Sequence, residues 1–82
     1  MAKVAVVFKV YPKDDQLAAV EKGIKDRLNP KGMQTEDIGF GIQVIKVLFT
    51  FDDSELSSSK LEERIRLIDG VSEVEVVEES LV

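Results

Sequence analysis

The sequence contains no cysteine, no histidine and no tryptophan among its 82 residues. Without cysteine the chain can form neither disulfide bonds nor thiolate nucleophiles, and this composition suits the reducing cytoplasm. Without histidine it lacks the side chain most often used as a general base and as a zinc ligand. The composition therefore favours a protein that is not an enzyme and that carries no cofactor or metal.

Long apolar runs are missing as well. The longest, Val4–Phe8, is far shorter than the roughly twenty residues that a membrane-spanning helix needs. Lys3 leads directly into a strand-like alternation, so no signal peptide is expected. Hydrophobic residues make up 44% of the chain and charged residues 33%, as in ordinary globular proteins. We therefore expect residues 1–82 to form a single domain that does not contact a membrane.

Charge is distributed unevenly along this acidic chain, whose net charge is −5. Residues 1–51 hold eight Lys or Arg and six Asp or Glu, whereas residues 52–82 hold three and ten. An acidic half disfavours direct binding of nucleic acid, because affinity for phosphates comes largely from Lys and Arg. It fits a basic protein partner, or it simply keeps a small protein soluble, and the composition leaves both interpretations open.

Alternating and helical patterns of apolar residues predict six elements of secondary structure. We place strands at 3–11, 33–38, 42–52 and 71–78, and helices at 15–28 and 59–69. Asp14 and Asp15 stand where the first helix should have its N-cap. Ser59 with Glu62 has the pattern of a capping box at the start of the second helix, and Gly70 would cap its C-terminus. The tail 78–82 shows no pattern of its own.

The order β-α-β-β-α-β predicts a ferredoxin-like α+β fold, in which two helices cover one face of a four-stranded antiparallel sheet. Right-handed crossovers place the first and third strands in the centre. Gly23, inside the first helix, would allow that helix to approach the sheet closely. The predicted core consists of Val4, Val6, Phe8, Leu17, Val20, Ile24, Val47, Phe49, Leu61, Ile65 and Val74.

Gly39-Phe40-Gly41 is the most unusual feature of the sequence. It lacks the spacing of a dinucleotide-binding motif, and no helix follows it. A tight turn between the second and third strands explains the glycines, which would take positive φ there. It does not explain the aromatic residue at the tip. Phe40 either tucks back onto the sheet or anchors a partner, and the sequence leaves the two equal.

Two other kinds of site are disfavoured. The open face of the sheet would present one aromatic side chain, Tyr11, where single-stranded RNA readers of this fold present several. Direct binding of nucleic acid is therefore not expected. The pairs Asp52-Asp53 and Glu78-Glu79 could hold a hard cation in principle, but adjacent carboxylates at strand ends are usually solvated loop charges.

Three segments together resemble the guanine-nucleotide exchange domain of the translation elongation factor 1-beta family. They are Phe8–Asp15 (FKVYPKDD), Ile38–Lys46 (IGFGIQVIK) and Gly70–Val77 (GVSEVEVV). The first two are fairly specific in combination, whereas the third is generic to the fold. The resemblance runs from Val4 to the C-terminus, and the length matches the short archaeal members of the family.

The resemblance implies a nucleotide exchange factor that docks on the translational GTPase elongation factor 1-alpha and promotes release of GDP. Such a protein needs no covalent catalysis, and we expect a monomer. One departure concerns the tail: eukaryotic members end in a basic residue that reaches the magnesium site of the GTPase, whereas no Lys or Arg follows Arg66 here. The residues that we assign to partner binding are Gly39, Phe40, Gly41, Tyr11, Pro12, Leu81 and Val82.

A ligand-binding ferredoxin-like regulatory module is the alternative. Such modules share the Ile-x-Gly-Val-x-x-Val pattern that occupies Ile68–Val74, and they often dimerise edge to edge. They would bind an amino acid or a similar small molecule between subunits. The mass in solution separates the two hypotheses, because a monomer favours the exchange factor and a stable dimer favours the module.

Overall fold

The predicted order of elements is confirmed by a computed structural model, which describes residues 3–52, 54 and 57–81. The sheet is antiparallel with strand order β2-β3-β1-β4. The first and third strands are therefore central, as right-handed crossovers require. The elements are β1 (Lys3–Pro12), α1 (Leu17–Leu28), β2 (Gly32–Gly39), β3 (Ile42–Asp52), α2 (Ser58–Arg66) and β4 (Val71–Leu81).

The core lies between the helices and one face of the sheet. Phe8 of β1 and Phe49 of β3 meet edge to face, with ring centroids 6.0 Å apart and an interplanar angle of 70°. This geometry is favourable because the positive ring edge meets the negative face. Buried residues of both helices join the same cluster, so both helices cover one face of the sheet. The fold is the predicted ferredoxin-like α+β arrangement.

Ten of the eleven predicted core residues are buried. The exception is Leu17, which is only half-buried because it is the first residue of α1 and packs at the margin of the core. Val44 is buried although it alternates with the core-facing Ile45 and does not belong to the core cluster. It lies on a central strand, opposite Glu36 of β2, where side chains of the neighbouring strands flank it. The buried residues that the predicted core omits are Val10, Val44, Ile45 and Ile68.

The start of α1 differs from the prediction. Asp15 has a φ of 62°, which is the left-handed region and is incompatible with a helix. The helix begins two residues later, and Gln16 occupies the N-cap position without a side-chain capping bond. The assignment of Asp14 and Asp15 as N-cap residues is therefore wrong.

Both ends of α2 also differ from the prediction, which placed the helix at 59–69. Ser57, rather than Ser59, is the N-cap residue, and its Oγ accepts a hydrogen bond from the backbone N–H of Lys60 at 3.3 Å. Three consecutive serines made this offset ambiguous. The helix ends at Arg66, so Gly70 lies beyond the cap, in the turn that leads to β4. The capping box and the Gly70 cap are corrected accordingly.

The C-terminal tail is strand rather than patternless chain. β4 continues to Leu81, and its residues Glu79 and Leu81 lie opposite Val6 and Val4 of β1. This pairing involves positions far apart in sequence, which local periodicity cannot detect. The expected end at residue 78 is therefore wrong, and β4 runs almost the full length of β1.

Gly23 permits a close approach, but its neighbour is Ile68 and not the sheet. A Cβ atom at this position would lie 2.8 Å from Cγ2 of Ile68, well inside van der Waals contact. Ile68 follows α2 and is buried. The glycine therefore sets how closely α1 packs against the segment between α2 and β4.

Replacement of Gly23 by alanine is expected to lower the free energy of unfolding by about 1 kcal/mol. Overpacking of a core typically costs about 1–3 kcal/mol, which outweighs the gain of about 1 kcal/mol in helix propensity. Chemical denaturation measures the difference. In an Ile68→Ala background, which removes Cγ2, the same substitution should become stabilising. A loss of equal size in both backgrounds would show that the contact with Ile68 is not the cause.

Candidate partner-binding site

The hairpin between β2 and β3 has a two-residue turn with an unusual occupant. Gly39 pairs with Ile42, so Phe40 and Gly41 are the central residues, with φ of 58° and 75°. Positive φ at both central positions is the signature of a type I′ turn, which normally holds Asn-Gly. Phenylalanine therefore occupies a backbone position that disfavours it, at a cost of roughly 1–2 kcal/mol.

The side chain of Phe40 projects fully into solvent. Its exposure is 102% of the reference value for an isolated residue, so it does not tuck back onto the sheet. Asp37 stabilises the turn, because its Oδ1 accepts a hydrogen bond from the backbone N–H of Gly39 at 2.8 Å. A strained backbone that presents an exposed aromatic ring is the pattern expected of a functional site.

Two further apolar residues stand beside the turn. Ile38 is 44% exposed and Ile42 is 51% exposed. With Phe40 they form a cluster that we call the hairpin-tip patch (Ile38, Phe40 and Ile42). The predicted site does not include either isoleucine, although their spacing at every second residue around Phe40 was a usable signal. Exposed apolar clusters of this kind mark interaction surfaces.

A shallow pocket next to the tip brings two of the predicted segments together. Its volume is about 250 Å³, and Pro12 and Gly41 both line it. The loop between β1 and α1 supplies one wall, and the start of β3 supplies the other. The residues around it are Pro12, Lys13, Asp14, Asp15, Leu17, Gly41, Ile42 and Gln43.

The loop between β1 and α1 is fixed by backbone hydrogen bonds. The N–H of Lys13 donates to the carbonyl of Gly70 at 2.7 Å, and the N–H of Gln16 donates to the carbonyl of Lys13 at 3.0 Å. Tyr11 precedes this loop; it is half-buried and lies opposite Glu73 of β4. It adjoins Pro12 but does not line the pocket.

The predicted tail residues lie elsewhere. Leu81 is 72% exposed and pairs with Val4, whereas Pro12, beside the hairpin tip, is eight positions further along β1. At about 3.3 Å per residue the two ends of the strand are roughly 26 Å apart. Val82 lies outside the described residues. Among the described residues of the predicted site, Leu81 therefore lies at the opposite end of the sheet from the others.

Two carboxylates of the sheet have lowered pKa values. A hydrogen bond from the ammonium group of Lys46, 3.0 Å away, and its positive charge lower the pKa of Glu36. The pKa of Glu73 is lowered by the hydrogen bond from the backbone N–H of Val74, then by Arg66, whose Nη1 lies 2.8 Å from the carboxylate. Both interactions stabilise the charged form of the carboxylate.

The ion pair between Glu36 and Lys46 is expected to be visible in an NMR titration. In Lys46→Met the pKa of Glu36 should rise towards that of a free glutamate, because its strongest hydrogen-bond donor is gone. A depressed pKa contributes stability above the unfolded value, and this is lost as the pH falls through the folded value. The stability that Lys46→Met removes should therefore be missing at neutral pH, and the difference from the parent protein should disappear as the pH falls below about 4. An unchanged titration of Glu36 would contradict the pairing.

No cation site is evident in the described part of the chain. Among those residues, no group of three or more His, Cys, Asp or Glu side chains is placed to hold a metal ion. Glu78 and Glu79 are consecutive strand residues opposite Val7 and Val6, so their side chains point to opposite faces of the sheet. Asp53, the partner proposed for Asp52, lies outside the described residues.

None of the described helices has the length and hydropathy needed to cross a membrane.

Comparison with known proteins identifies the family. Residues 5–82 match the sequence model of the EF-1 guanine nucleotide exchange domain. The chain is 37% identical to elongation factor 1-beta of Aeropyrum pernix, with 93% of this chain and 92% of that protein covered. It is 33% identical to elongation factor 1-beta of Methanospirillum hungatei over the whole of both chains. The resemblance inferred from the three segments is thus confirmed, and the chain belongs to the EF-1 guanine nucleotide exchange domain family.

Proposed function

We propose that this protein is a guanine-nucleotide exchange factor that promotes release of GDP from the translational GTPase elongation factor 1-alpha. Membership of the exchange-domain family supports this function, and the exposed ring of Phe40 is the structural observation that carries it. In this proposal residues 1–82 act as one domain and as a monomer, in the cytoplasm. Covalent catalysis and a bound cofactor are not required.

The physical basis of exchange is linkage between two binding equilibria. A partner that binds the nucleotide-free GTPase more tightly than the GDP-bound form lowers the affinity for GDP by the same factor. Phe40 is suited to such binding because the turn fixes its position, so little conformational entropy is lost on docking. Ile38 and Ile42 would extend the apolar contact, and Pro12 and Gly41 would meet the GTPase beside it.

Residues 67–82 contain no Lys or Arg, so in this proposal they supply no cation to displace the magnesium ion of the GTPase. In our proposal Leu81 and Val82 make a second, apolar contact. Because Leu81 lies at the other end of the sheet, attachment at both ends would fix the orientation of the exchange factor on the GTPase.

The function is tested by mixing the protein with GDP-loaded elongation factor 1-alpha from the same source. Substoichiometric amounts should speed the release of fluorescently labelled GDP, because the exchange factor is regenerated in each cycle. An unrelated acidic protein of similar size is the control. If a large molar excess leaves the release rate unchanged, the exchange function is wrong. A stable dimer by solution mass would then favour the ligand-binding module.

A further inference from the structure

A groove between the two helices presents two arginines that pair with none of the described residues. We call it the interhelix groove; it has a volume of about 270 Å³. Arg27 comes from the last turn of α1 and Arg64 from the last turn of α2, and both are exposed. Within the part of the chain that the structure describes, neither forms an ion pair or a hydrogen bond. The groove is lined by Arg27, Leu28, Arg64, Leu67 and Ile68.

Arg66, two residues after Arg64 on α2, provides a comparison, because its guanidinium group has partners within the protein. It pairs with Glu62 and Glu73 at 3.9 and 2.8 Å, and it donates a hydrogen bond to the carbonyl of Val74 at 3.2 Å. The dipole of a helix favours a cation near its C-terminus. The dipole does not explain why two guanidinium groups from different helices line one groove that has no carboxylate among its described residues.

The positive charge continues into a neighbouring pocket of about 160 Å³, which Arg27 and Arg64 also line and to which Lys31 contributes. Neither pocket has an Asp or Glu among its described lining residues. This cationic surface belongs to a chain whose net charge is −5. The local excess of positive charge therefore favours the binding of an anion in the interhelix groove.

The exposed side chain of Leu67 indicates which kind of anion the interhelix groove binds. It is 78% exposed, and it stands beside the arginines in the interhelix groove. An isolated phosphate would make no use of an exposed leucine, and a long nucleic acid would be repelled by the acidic remainder of the chain. A carboxylate, by contrast, matches the two-pronged donor geometry of a guanidinium group.

We propose that the interhelix groove binds a short acidic protein segment that places an apolar side chain beside its carboxylates. Arg27 and Arg64 pair with the carboxylates, and Leu67 packs against the apolar residue. This site is separate from the hairpin-tip patch and does not depend on the exchange function.

The test uses fluorescence anisotropy with the full chain and a fluorescein-labelled peptide of sequence Glu-Glu-Leu-Glu-Leu-Glu-Glu. We expect saturable binding that Arg27→Gln/Arg64→Gln weakens about tenfold or more, since hydrogen bonds between charged groups are the strong ones. The matched control is Lys13→Gln/Lys22→Gln, which removes two exposed charges that line neither the interhelix groove nor the pocket beside it. It should weaken binding by less than about twofold, because solvent and salt screen distant charges.

The proposal would be overturned by equal weakening by both double variants, by equal binding of a peptide with serine in place of leucine, or by tighter binding of a single-stranded oligouridylate. A melting temperature that falls in Arg27→Gln/Arg64→Gln would also overturn it, because it would indicate a structural role. We expect that temperature to stay the same or to rise, since the two arginines repel each other.

Discussion

Phe40→Ala is expected to slow the exchange of GDP on elongation factor 1-alpha about thirty-fold without lowering the melting temperature. An aromatic anchor at the centre of an interface is commonly worth about 2 kcal/mol or more. The side chain is fully exposed, so its removal leaves no cavity. The rate should be measured at limiting concentrations of the exchange factor, where it reflects the affinity for the GTPase.

Two further substitutions of Phe40 distinguish the contribution of the ring to partner binding from the effect of the left-handed backbone on stability. Phe40→Tyr keeps the ring and should retain exchange near the parent rate. Phe40→Asn suits the left-handed backbone better than phenylalanine does, so it should raise the melting temperature while abolishing the anchor. A Phe40→Ala protein that melts early yet exchanges GDP at the parent rate would contradict the role of Phe40.

The features that local periodicity controls were predictable from the sequence. In β1 and β3 the apolar residues alternate, and each alternate side chain reaches the core because strand side chains point to opposite faces. The position of both strands in the centre then followed from the handedness of the crossovers. The long-range pairing of Glu79 and Leu81 with β1 was not predictable, because no local pattern records it.

The candidate site was predictable only in part. The glycines beside Phe40 indicated a tight turn, but the orientation of the ring depended on the sign of φ at Phe40 itself, which the sequence does not reveal. Asp15 is a similar case, because its left-handed backbone moved the start of α1. The interhelix groove was missed altogether, since Arg27 and Arg64 are far apart in sequence and only packing of the helices brings them to one surface.

Gly70→Ala is expected to lower the free energy of unfolding by about 2 kcal/mol. Gly70 has a φ of +95°, and forcing an alanine into left-handed backbone costs roughly 1–2 kcal/mol. In addition, the new Cβ would lie 3.0 Å from both Cβ of Gln16 and Cγ2 of Val20, so the start of α1 must shift. For a domain of this size the melting temperature should fall by about 10 °C.

Gly39→Ala is the matched control for this prediction. Gly39 has nearly the same φ, +101°, but no atom lies within 4 Å of the position of its Cβ. Gly39→Ala should therefore lower the free energy of unfolding only by the cost of the backbone strain, which is about half of the loss expected for Gly70→Ala. Denaturation curves of the two variants then isolate the cost of crowding Gln16 and Val20. Equal losses would show that α1 yields to the new methyl group without cost.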